Sequence, residues 1–403
     1  MAQSRYDAIV VGARCAGSPA AMLLAREGHK VLLVDRATFP SDTISTHLIH
    51  PPGVAALARW GLLDRLVATG CPPVRQYSFD FGPFAIVGAP GASDSPVSYG
   101  PRRTVLDKLL LDAAAAAGAT VREGFTVEEL IVEDGRVAGI RGRGNGGSVT
   151  ERAHFVVGAD GHNSFVARAV GATAYHEKPR LQAGYYSYWS GLSTSGRLEA
   201  YDVGGRGIAA WPTNDGMTLV IADWPMAEFE TNRSDIEAQY MATIARAPGL
   251  HQRMRAARRE ERFVGAAIPN YFRKPWGPGW ALAGDAGYLR DFITAQGISD
   301  AFRSAEQVAG ALHETFAGGT TFDTAMAEYQ AARDRRALPV YEFTCEFAEL
   351  KPPSDRMKQL LAAMLGNQEA MDGWARMFAG VTSPAEFFSD ENIGRIFAAA
   401  SAR

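Results

Sequence analysis

The first 35 residues carry the pattern that most restricts the fold of this chain. An apolar segment, Tyr6 to Val11, runs into a turn from Gly12 to Gly17, and residues 18–27 then repeat apolar side chains with helical spacing. A second apolar segment follows and ends at Asp35. Strand, tight turn, helix, strand and acid is the order of a dinucleotide-binding βαβ unit. We therefore predict an α/β fold with a Rossmann-like nucleotide-binding domain.

The residue types in this turn suit phosphate binding. Gly12 ends the strand where a Cβ would obstruct the turn, and Gly17 lets the helix pack closely on the sheet. Backbone amides at the start of the helix, including those of Ala13, Cys15 and Ala16, would then face a pyrophosphate. A glycine turn between a strand and a helix also occurs in α/β folds that bind no nucleotide. The strand before it and the acid after it favour the nucleotide here.

Two charged residues of this unit bear on the ligand. Asp35 lies where a carboxylate can accept hydrogen bonds from ribose hydroxyls, and its charge argues against a 2′-phosphate on that ribose. Arg14 stands where the middle glycine of such motifs normally lies. Its side chain either points outward or supplies a cation to the pyrophosphate, and the sequence leaves both alternatives open.

Two further signatures lie far along the chain. The apolar segment 153–157 leads into Gly158-Ala159-Asp160-Gly161, and the segment 280–283 leads into Gly284-Asp285, with Gln296-Gly297-Ile298 after it. One such motif alone would be weak. Together with the N-terminal unit, they predict that segments distant in sequence hold one cofactor.

The pattern of residue types predicts how the rest of the chain is divided into regions. Residues 51–70 show the pattern of one helix, and from about Thr173 aromatic, alternating segments indicate a mostly antiparallel sheet. The chain then returns to the nucleotide-binding domain and ends in several helices. The predicted regions are a nucleotide-binding domain of residues 1–75, 100–175 and 276–320, a sheet-based substrate domain of residues 76–99 and 176–275, and a helical C-terminal region of residues 321–403.

Composition limits the classes of protein that remain. A net charge of -3 gives no electrostatic reason to expect a nucleic acid or an anionic membrane as partner. Cys15, Cys71 and Cys345 are too few and too scattered for a disulfide framework or a zinc site, and we predict no metal. The absence of a signal peptide and of a membrane span predicts a cytoplasmic protein. The oligomeric state stays open.

The three motifs, in this order, resemble the fingerprints of FAD-dependent monooxygenases of the para-hydroxybenzoate hydroxylase type. That superfamily also contains flavin-dependent halogenases and geranylgeranyl reductases. The resemblance spans roughly the first three quarters of the chain and implies FAD as cofactor, with NADPH or NADH as a transient reductant. A second nicotinamide-binding βαβ unit is missing from the sequence, which fits a reductant that binds only transiently.

The resemblance implies that residues from both ends of the chain bind the adenosine, pyrophosphate and ribityl parts of FAD. Asp35 would hold the adenosine ribose, and Arg36 would lie near the adenine. Arg103 matches an arginine that reaches the pyrophosphate or ribityl region, and Asp285, beside Gly284, would bind the same region. The simpler alternatives are a solvated side chain for Arg103 and an ordinary turn residue for Asp285.

The resemblance also implies which residues contact the flavin ring of FAD. Backbone amides of Gln296, Gly297 and Ile298 would meet the pyrimidine edge, at the start of a helix predicted to end at Phe316. A helix N-terminus favours negative charge, and a reduced flavin carries negative charge at that edge. Asp160 would support FAD and the access of reduced nicotinamide, or else would only cap a helix or turn.

The segment with Thr46 and His47 corresponds to one that passes close to the flavin ring in this superfamily. We take His47 as a candidate catalytic residue, although a lone histidine is more often structural. Six aromatic residues of the predicted sheet form either its core or a substrate pocket. They are Tyr185, Tyr186, Tyr188, Trp189, Trp211 and Trp224.

The resemblance implies a single-component monooxygenase in which oxygen adds at flavin C4a and the hydroperoxide hydroxylates an aromatic or polyketide-like small molecule. Partners would be an aromatic or hydrophobic substrate and molecular oxygen. The alternatives are a geranylgeranyl-reductase-like flavoprotein and a non-catalytic FAD-binding protein. Halogenation is not expected, because the chain lacks a lysine between Ala37 and Asp107 and the paired-tryptophan motif of halogenases. Where many hydroxylases have a proline-rich stretch, residues 290–293 are Arg-Asp-Phe-Ile.

Overall fold

The computed structural model describes residues 5–92, 95–144 and 146–402. The strands are β1 (Tyr6–Val11), β2 (Val31–Val34), β3 (Pro73–Val74), β4 (Gln76–Asp80), β5 (Ala85–Gly88), β6 (Ser98–Tyr99), β7 (Thr120–Arg122), β8 (Thr126–Glu133), β9 (Arg136–Gly144), β10 (Gly147–Gly158), β11 (Ala174–Lys178), β12 (Gln182–Ser190), β13 (Arg197–Asp202), β14 (Gly207–Pro212), β15 (Thr218–Pro225), β16 (Arg258–Arg259), β17 (Val264–Ala266), β18 (Asn270–Arg273), β19 (Trp276–Gly277), β20 (Trp280–Leu282) and β21 (Tyr288–Leu289). The α-helices are α1 (Gly17–Arg26), α2 (Pro51–Arg59), α3 (Leu63–Val67), α4 (Arg103–Ala116), α5 (Phe165–Ala169), α6 (Met226–Asn232), α7 (Ile236–Ile244), α8 (Pro248–Met254), α9 (Gly297–Phe316), α10 (Phe322–Phe347), α11 (Asp355–Met364), α12 (Gln368–Phe378), α13 (Pro384–Phe387) and α14 (Asp390–Ser401).

The first sheet has the strand order β19-β20-β10-β1-β2-β7, in which β20, β10, β1, β2 and β7 are parallel. Successive side chains of β1 point to opposite faces, as the period of a strand requires. Ala8 and Val10 enter the core shared with α1, α4 and α9, whereas Ile9 and Val11 enter the core on the other face. This sheet, covered on both faces, is the predicted Rossmann-like unit.

The second large sheet has the order β16-β12-β15-β14-β13-β4-β5, and β17 also pairs with β12. Its pairings are antiparallel, apart from β13 with β4. One face packs against α11, α12 and α14 through a core that includes Trp374 and Phe378, and the other packs against α7 and α8. The mostly antiparallel sheet and the helical C-terminal region are confirmed.

A small sheet of order β11-β18-β21 contributes Phe272 and Tyr288 to a separate core with Tyr341 and Cys345 of α10. The segment that follows β21 leads directly into α9. Among the described residues, no helix is both long and apolar enough to cross a membrane.

One sequence-based boundary is wrong. Residues 51–70 do not form one helix, because α2 ends at Arg59 and α3 begins at Leu63. Gly61 lies between them with φ of 71°. Glycine adopts this left-handed conformation without the steric penalty that a Cβ would bring, so the helix ends there.

Candidate active site

A single large cavity of about 1410 Å³ brings the separate motifs together. Its walls come from the β1–α1 turn, the segment of residues 41–46, the start of α4, the residues after β10 and the start of α9. Of the predicted cofactor-binding residues, only Ala13 and Gly17 are not part of its lining. Those that line it are Gly12, Cys15, Ala16, Asp35, Arg36, Thr46, Arg103, Asp160, Gly284, Asp285, Gln296, Gly297 and Ile298.

The glycines of the first turn sit where no side chain would fit. Gly12 has φ of 101°, and a Cβ there would lie 2.4 Å from the carbonyl oxygen of Ala159. A Cβ on Gly17 would lie 1.7 Å from the carbonyl oxygen of Gly12. Gly17 therefore acts behind the cavity wall, by allowing α1 to begin directly against the turn.

Asp35 is held in place by backbone amides. Its carboxylate accepts hydrogen bonds from the amide of Ala13 at 2.7 Å and from that of Ala37 at 2.8 Å. Each carboxylate oxygen has a second lone pair available for a ligand hydroxyl. Ala13 thus contributes by fixing the acid, with its amide turned towards Asp35.

Two arginines share one buried carboxylate beside this turn. Arg14 forms an ion pair with Asp107 and donates to the Ser41 hydroxyl at 2.8 Å, and Arg103 donates to Asp107 at 2.9 and 3.0 Å. Asp107 is fully buried, and both arginines line the cavity. Within this group of three side chains, two cations and one anion leave a local positive charge that suits an anionic ligand.

The guanidinium of Arg14 lies along the cavity wall, and its contact with a pyrophosphate stays a prediction. The Asp107 contact was not anticipated from the sequence. The sequence does contain a signal for the contact between Asp107 and Arg103, because the two residues are four apart on one helix. The contact with Arg14 joins residues 93 positions apart and has no such local signal.

Asp160 uses its carboxylate within the protein. It accepts hydrogen bonds from the Ser164 hydroxyl at 2.5 Å and from the amide of Phe165 at 2.6 Å. These contacts fix the start of α5, as in the helix-capping alternative. The residue nevertheless borders the cavity, so the cap also shapes its wall.

Asp285 lies on the same wall, near Arg103, half-buried at the short helical turn Gly284–Ala286. Burial raises the pKa of its carboxyl to about 6, while the charge of Arg103 acts in the opposite direction. Among the described residues, none donates a hydrogen bond to this carboxylate. A buried acceptor of this kind is suited to ligand hydroxyls.

The start of α9 forms the far end of the same groove. Gln296 precedes the helix, and its side chain is bound on both sides, by Arg290 at 2.8 Å and by the carbonyl oxygen of Phe378 at 2.8 Å. A Cβ on Gly297 would meet nothing within 4 Å. The first amides of a helix lack partners within that helix, so those of Gly297 and Ile298 are available to a ligand in this open space.

His47 does not line the cavity. It is fully buried, and its Nε2 lies 2.9 Å from the hydroxyl of Tyr188. Burial, followed by the charges of Arg103 and Arg102, lowers the pKa of the imidazole to about 3. Its neighbour Thr46 does border the cavity, whereas the histidine points into the protein, and the approach of this segment to a flavin ring stays a prediction.

The aromatic residues of the second sheet belong mainly to its core. Of the six considered, Tyr186 lines the cavity, together with Ile221 and Phe292. The other five are packed in the two cores on either side of the sheet. Sequence reasoning did not anticipate Phe292, which follows β21 and reaches the cavity only because that segment crosses the sheet.

The fold and this groove together define a dinucleotide-binding protein in which a helix start faces the far end of the ligand. A family model described as FAD binding domain matches residues 5–344. The chain therefore belongs to the FAD binding domain family. The resemblance recognised from the motifs, and FAD as the cofactor, are confirmed.

Curated relatives lie in the same superfamily. Over 194 residues, the chain is 32% identical to Protein FixC of Salmonella typhimurium, a match covering 46% of this chain and 43% of that protein. The chain thus spans less than half the length of this relative. It is 27% identical over 336 residues to the digeranylgeranylglycerophospholipid reductase of Methanocella arvoryzae, covering 82% of this chain and 83% of that protein.

Solved structures show the same fold. The myxobacterial chondrochloren halogenase CndH, an FAD-dependent halogenase, superposes with a TM-score of 0.81 at 24% identity, covering 98% of this chain and 97% of that one. PqsL, a probable FAD-dependent monooxygenase from Pseudomonas aeruginosa, superposes with a TM-score of 0.72 at 20% identity, covering 92% and 99%. At these identities the likeness concerns the fold and not the reaction.

Proposed function

We propose that the protein is a single-component monooxygenase that uses NADH or NADPH, FAD and molecular oxygen to hydroxylate an aromatic or polyketide-like small molecule. The observation that carries this proposal is the continuity of the cavity. The groove lined by the cofactor motifs opens, on the side of the second sheet, into a space bordered by Tyr186, Ile221 and Phe292. A compact apolar ring would bury its faces against these three side chains.

The residues of the first wall fit FAD, and each has a proposed role. Asp35 would accept hydrogen bonds from the adenosine ribose, with Arg36 beside the adenine. The net positive charge of Arg14, Arg103 and Asp107 would attract the pyrophosphate. Asp285 would accept from ribityl hydroxyls. Gly12 gives the backbone the close approach that the phosphates need.

At the other end, the start of α9 would stabilise negative charge. Bound FAD would supply the transfer of electrons from the nicotinamide towards oxygen. The free amides of Gly297 and Ile298 would stabilise the charge on the reduced ring, and they are already oriented by the helix. Asp160 borders the cavity where reduced nicotinamide would approach.

The second candidate is reduction of a prenyl or other unsaturated chain. It is favoured by the Methanocella arvoryzae reductase, whose similarity extends over 82% of this chain. Family membership sets aside a non-catalytic role. We do not propose halogenation, because the likeness to CndH concerns the fold and the lysine and paired tryptophans expected of a halogenase are missing from the sequence.

Oxygen consumption separates the two candidates. The purified protein, loaded with FAD, would be given NADH or NADPH together with a panel of phenols, aromatic ketones and prenylated lipids. We expect oxygen uptake that rises with an aromatic compound and yields a hydroxylated product. Reduction of a prenylated lipid at equal rates with and without oxygen would overturn the proposal in favour of the reductase.

The placement of FAD is tested separately by Asp285→Ala. We expect a reduced flavin content in the purified variant, because the buried acceptor at the ribityl position is removed. Flavin content equal to that of the unchanged protein would show that Asp285 does not hold the cofactor.

A further inference from the structure

Two acids that no motif assigns lie near each other, around Gln182 and Phe292, on the substrate side of the cavity. Asp223, on β15, is paired with Gly184 of β12 and with Gly207 of β14. Gln182 lies two residues before Gly184, so its side chain shares the face of the sheet on which Asp223 lies. Gln182 donates a hydrogen bond to Asp291 at 2.6 Å, which brings the second acid to the same place.

The two flanking glycines leave Asp223 without side chains beside it on either neighbouring strand. A Cβ on Gly184 would lie 2.4 Å from Oδ1 of Asp223 and 2.7 Å from the ring of Phe292. The carboxyl therefore lies close to the aromatic ring that borders the cavity. Gly184 and Asp291 also line that cavity, whereas Asp223 stands directly behind them.

Three acceptor atoms in this cluster lack a hydrogen-bond donor among the described residues. They are Oε1 of Gln182, Oδ1 of Asp223 and Oδ2 of Asp291, all buried from solvent. Asp223 is 5% exposed, Asp291 is 2% exposed and Gln182 is fully buried. Because leaving buried acceptors unpaired costs free energy, a cluster of three requires a source of protons.

Neighbouring charges do not supply that compensation. Arg290, adjacent to Asp291 in sequence, forms its ion pair with Asp300 at 2.8 Å. Among the described residues, no ion pair includes Asp223 or Asp291. The other titratable groups near the cluster are Tyr240 of α7, which packs on the other face of the sheet, and Cys345 of α10. Burial raises the pKa of both, so they stay neutral.

Burial raises the pKa of Asp291 to about 7. Burial and then the charge of Asp291 raise the pKa of Asp223 well above its usual range. Two buried carboxyls without a cation cannot both ionise, because each would face the other's charge in a medium of low dielectric constant.

We propose that Asp223 and Asp291 share one proton and present it, through Asp291, to an acceptor oxygen of the substrate, such as a ketone or phenol oxygen. This inference rests on the proposed function in one respect, namely that the substrate occupies the space beside Phe292. Gln182 fixes the orientation of Asp291 and acts as a positioning residue. The arrangement selects substrates with an oxygen acceptor next to the aromatic ring.

Infrared spectroscopy tests the shared proton directly, without turnover. A protonated carboxyl has a carbonyl band that a carboxylate lacks and that shifts in deuterated water. We expect this band in the FAD-loaded protein at neutral pH, a weaker and shifted band in Asp223→Asn, and a changed position in Asp291→Asn. Asp372→Asn on α12, whose carboxylate accepts from a backbone amide outside the cavity, is the control and should leave the band unchanged.

Absence of the band at neutral pH, or an identical band in Asp223→Asn, would overturn the shared proton. If the variants do not fold, titration of the unchanged protein serves instead. The band should then disappear as the pH is raised from neutral to alkaline. A spectrum that is constant over this range would also contradict the proposal.

Acetophenone is the probe for the acceptor oxygen, with ethylbenzene as the matched compound that lacks it. We expect the carbonyl band of bound acetophenone at lower frequency in the unchanged protein than in Asp291→Leu, whose side chain has no donor, and binding weaker by about tenfold in that variant. Ethylbenzene should bind both proteins equally. Equal acetophenone binding and equal carbonyl frequency in both proteins would exclude the contact.

These readouts are independent of the oxygen-uptake experiment. A shared proton in a protein that consumes no oxygen would contradict the monooxygenase and leave the carboxyl pair intact. Oxygen uptake in a protein without the carbonyl band would support the monooxygenase and contradict the shared proton.

Discussion

The two walls of the cavity differ in whether their buried carboxyl groups are paired with cations. On the wall formed by the first sheet, Asp107 is paired with Arg14 and Arg103, and the surplus is positive. On the wall beside the second sheet, Asp223 and Asp291 form no ion pair with any residue that the structure describes. The first wall is therefore suited to a permanent anion such as a pyrophosphate. The second wall is suited to holding a proton, which explains why one protein needs both.

The largest effect is expected from Gly17→Ala on the first wall. The new Cβ would lie 1.7 Å from the carbonyl oxygen of Gly12, so the phosphate turn must move. We expect flavin content in the purified protein to fall by about tenfold or more, equivalent to at least about 1.4 kcal/mol of binding free energy.

The matched control is Gly310→Ala in α9, where a Cβ would meet nothing within 4 Å. It should retain flavin and gain about 0.5–1 kcal/mol of stability, since alanine favours a helix. Full flavin content in Gly17→Ala would show that the turn does not require its tight geometry.

For folding stability, and not flavin content, the largest effect is expected from Asp107→Asn, which removes the shared carboxylate of the first wall. Loss of one partner of a buried ion pair costs about 3–5 kcal/mol, because Arg103 would remain buried and uncompensated. Asp112→Asn, on the same helix, breaks an exposed pair with Lys108 and should cost about 0–1 kcal/mol. Denaturant unfolding of both variants measures the difference, and equal midpoints would contradict the pairing described for this wall.

On the second wall, Asp291→Asn should change how stability depends on pH. The folded pKa of about 7 lies above that of an unfolded aspartate. The protonated carboxyl therefore contributes stability that is fully present below about pH 4 and is lost as the pH rises through about 7. Relative to the unchanged protein, the variant should gain about 2–4 kcal/mol between pH 4 and pH 8. Parallel unfolding curves across this range would show that Asp291 is not held protonated.

The smallest effect is expected for His47→Asn, behind both walls. Asparagine tolerates the left-handed backbone at this position, where φ is 61°. We expect a loss of about 1–2 kcal/mol of stability from the weakened contact with Tyr188. Substrate-dependent oxygen uptake tests whether His47 is instead a catalytic residue. Removal of a general acid or base lowers rates by about 10²–10⁴. A decrease of that size with normal flavin content would make His47 catalytic.

The two walls also differ in how far the sequence reveals them. On the first wall, Gly12, Gly17, Asp35 and Asp285 stand in motifs whose local geometry requires those residue types. On the second wall, Asp291 and Asp223 are 68 positions apart, Asp223 in β15 and Asp291 in the segment after β21. No periodicity or spacing connects them, because their meeting depends on the register of β12, β14 and β15 and on the path of the segment after β21.

The sequence by itself determined the cofactor class, the Rossmann-like unit and the order of its motifs, since strand period, glycine turns and helix starts are local properties. Only the tertiary structure decided that Arg14 lies along the cavity wall, that His47 points away from it, and that two acids meet beside Phe292. These are contacts between segments distant in the chain. Their physical basis is the burial of charge, which depends on what surrounds a residue in space and not on its neighbours in sequence.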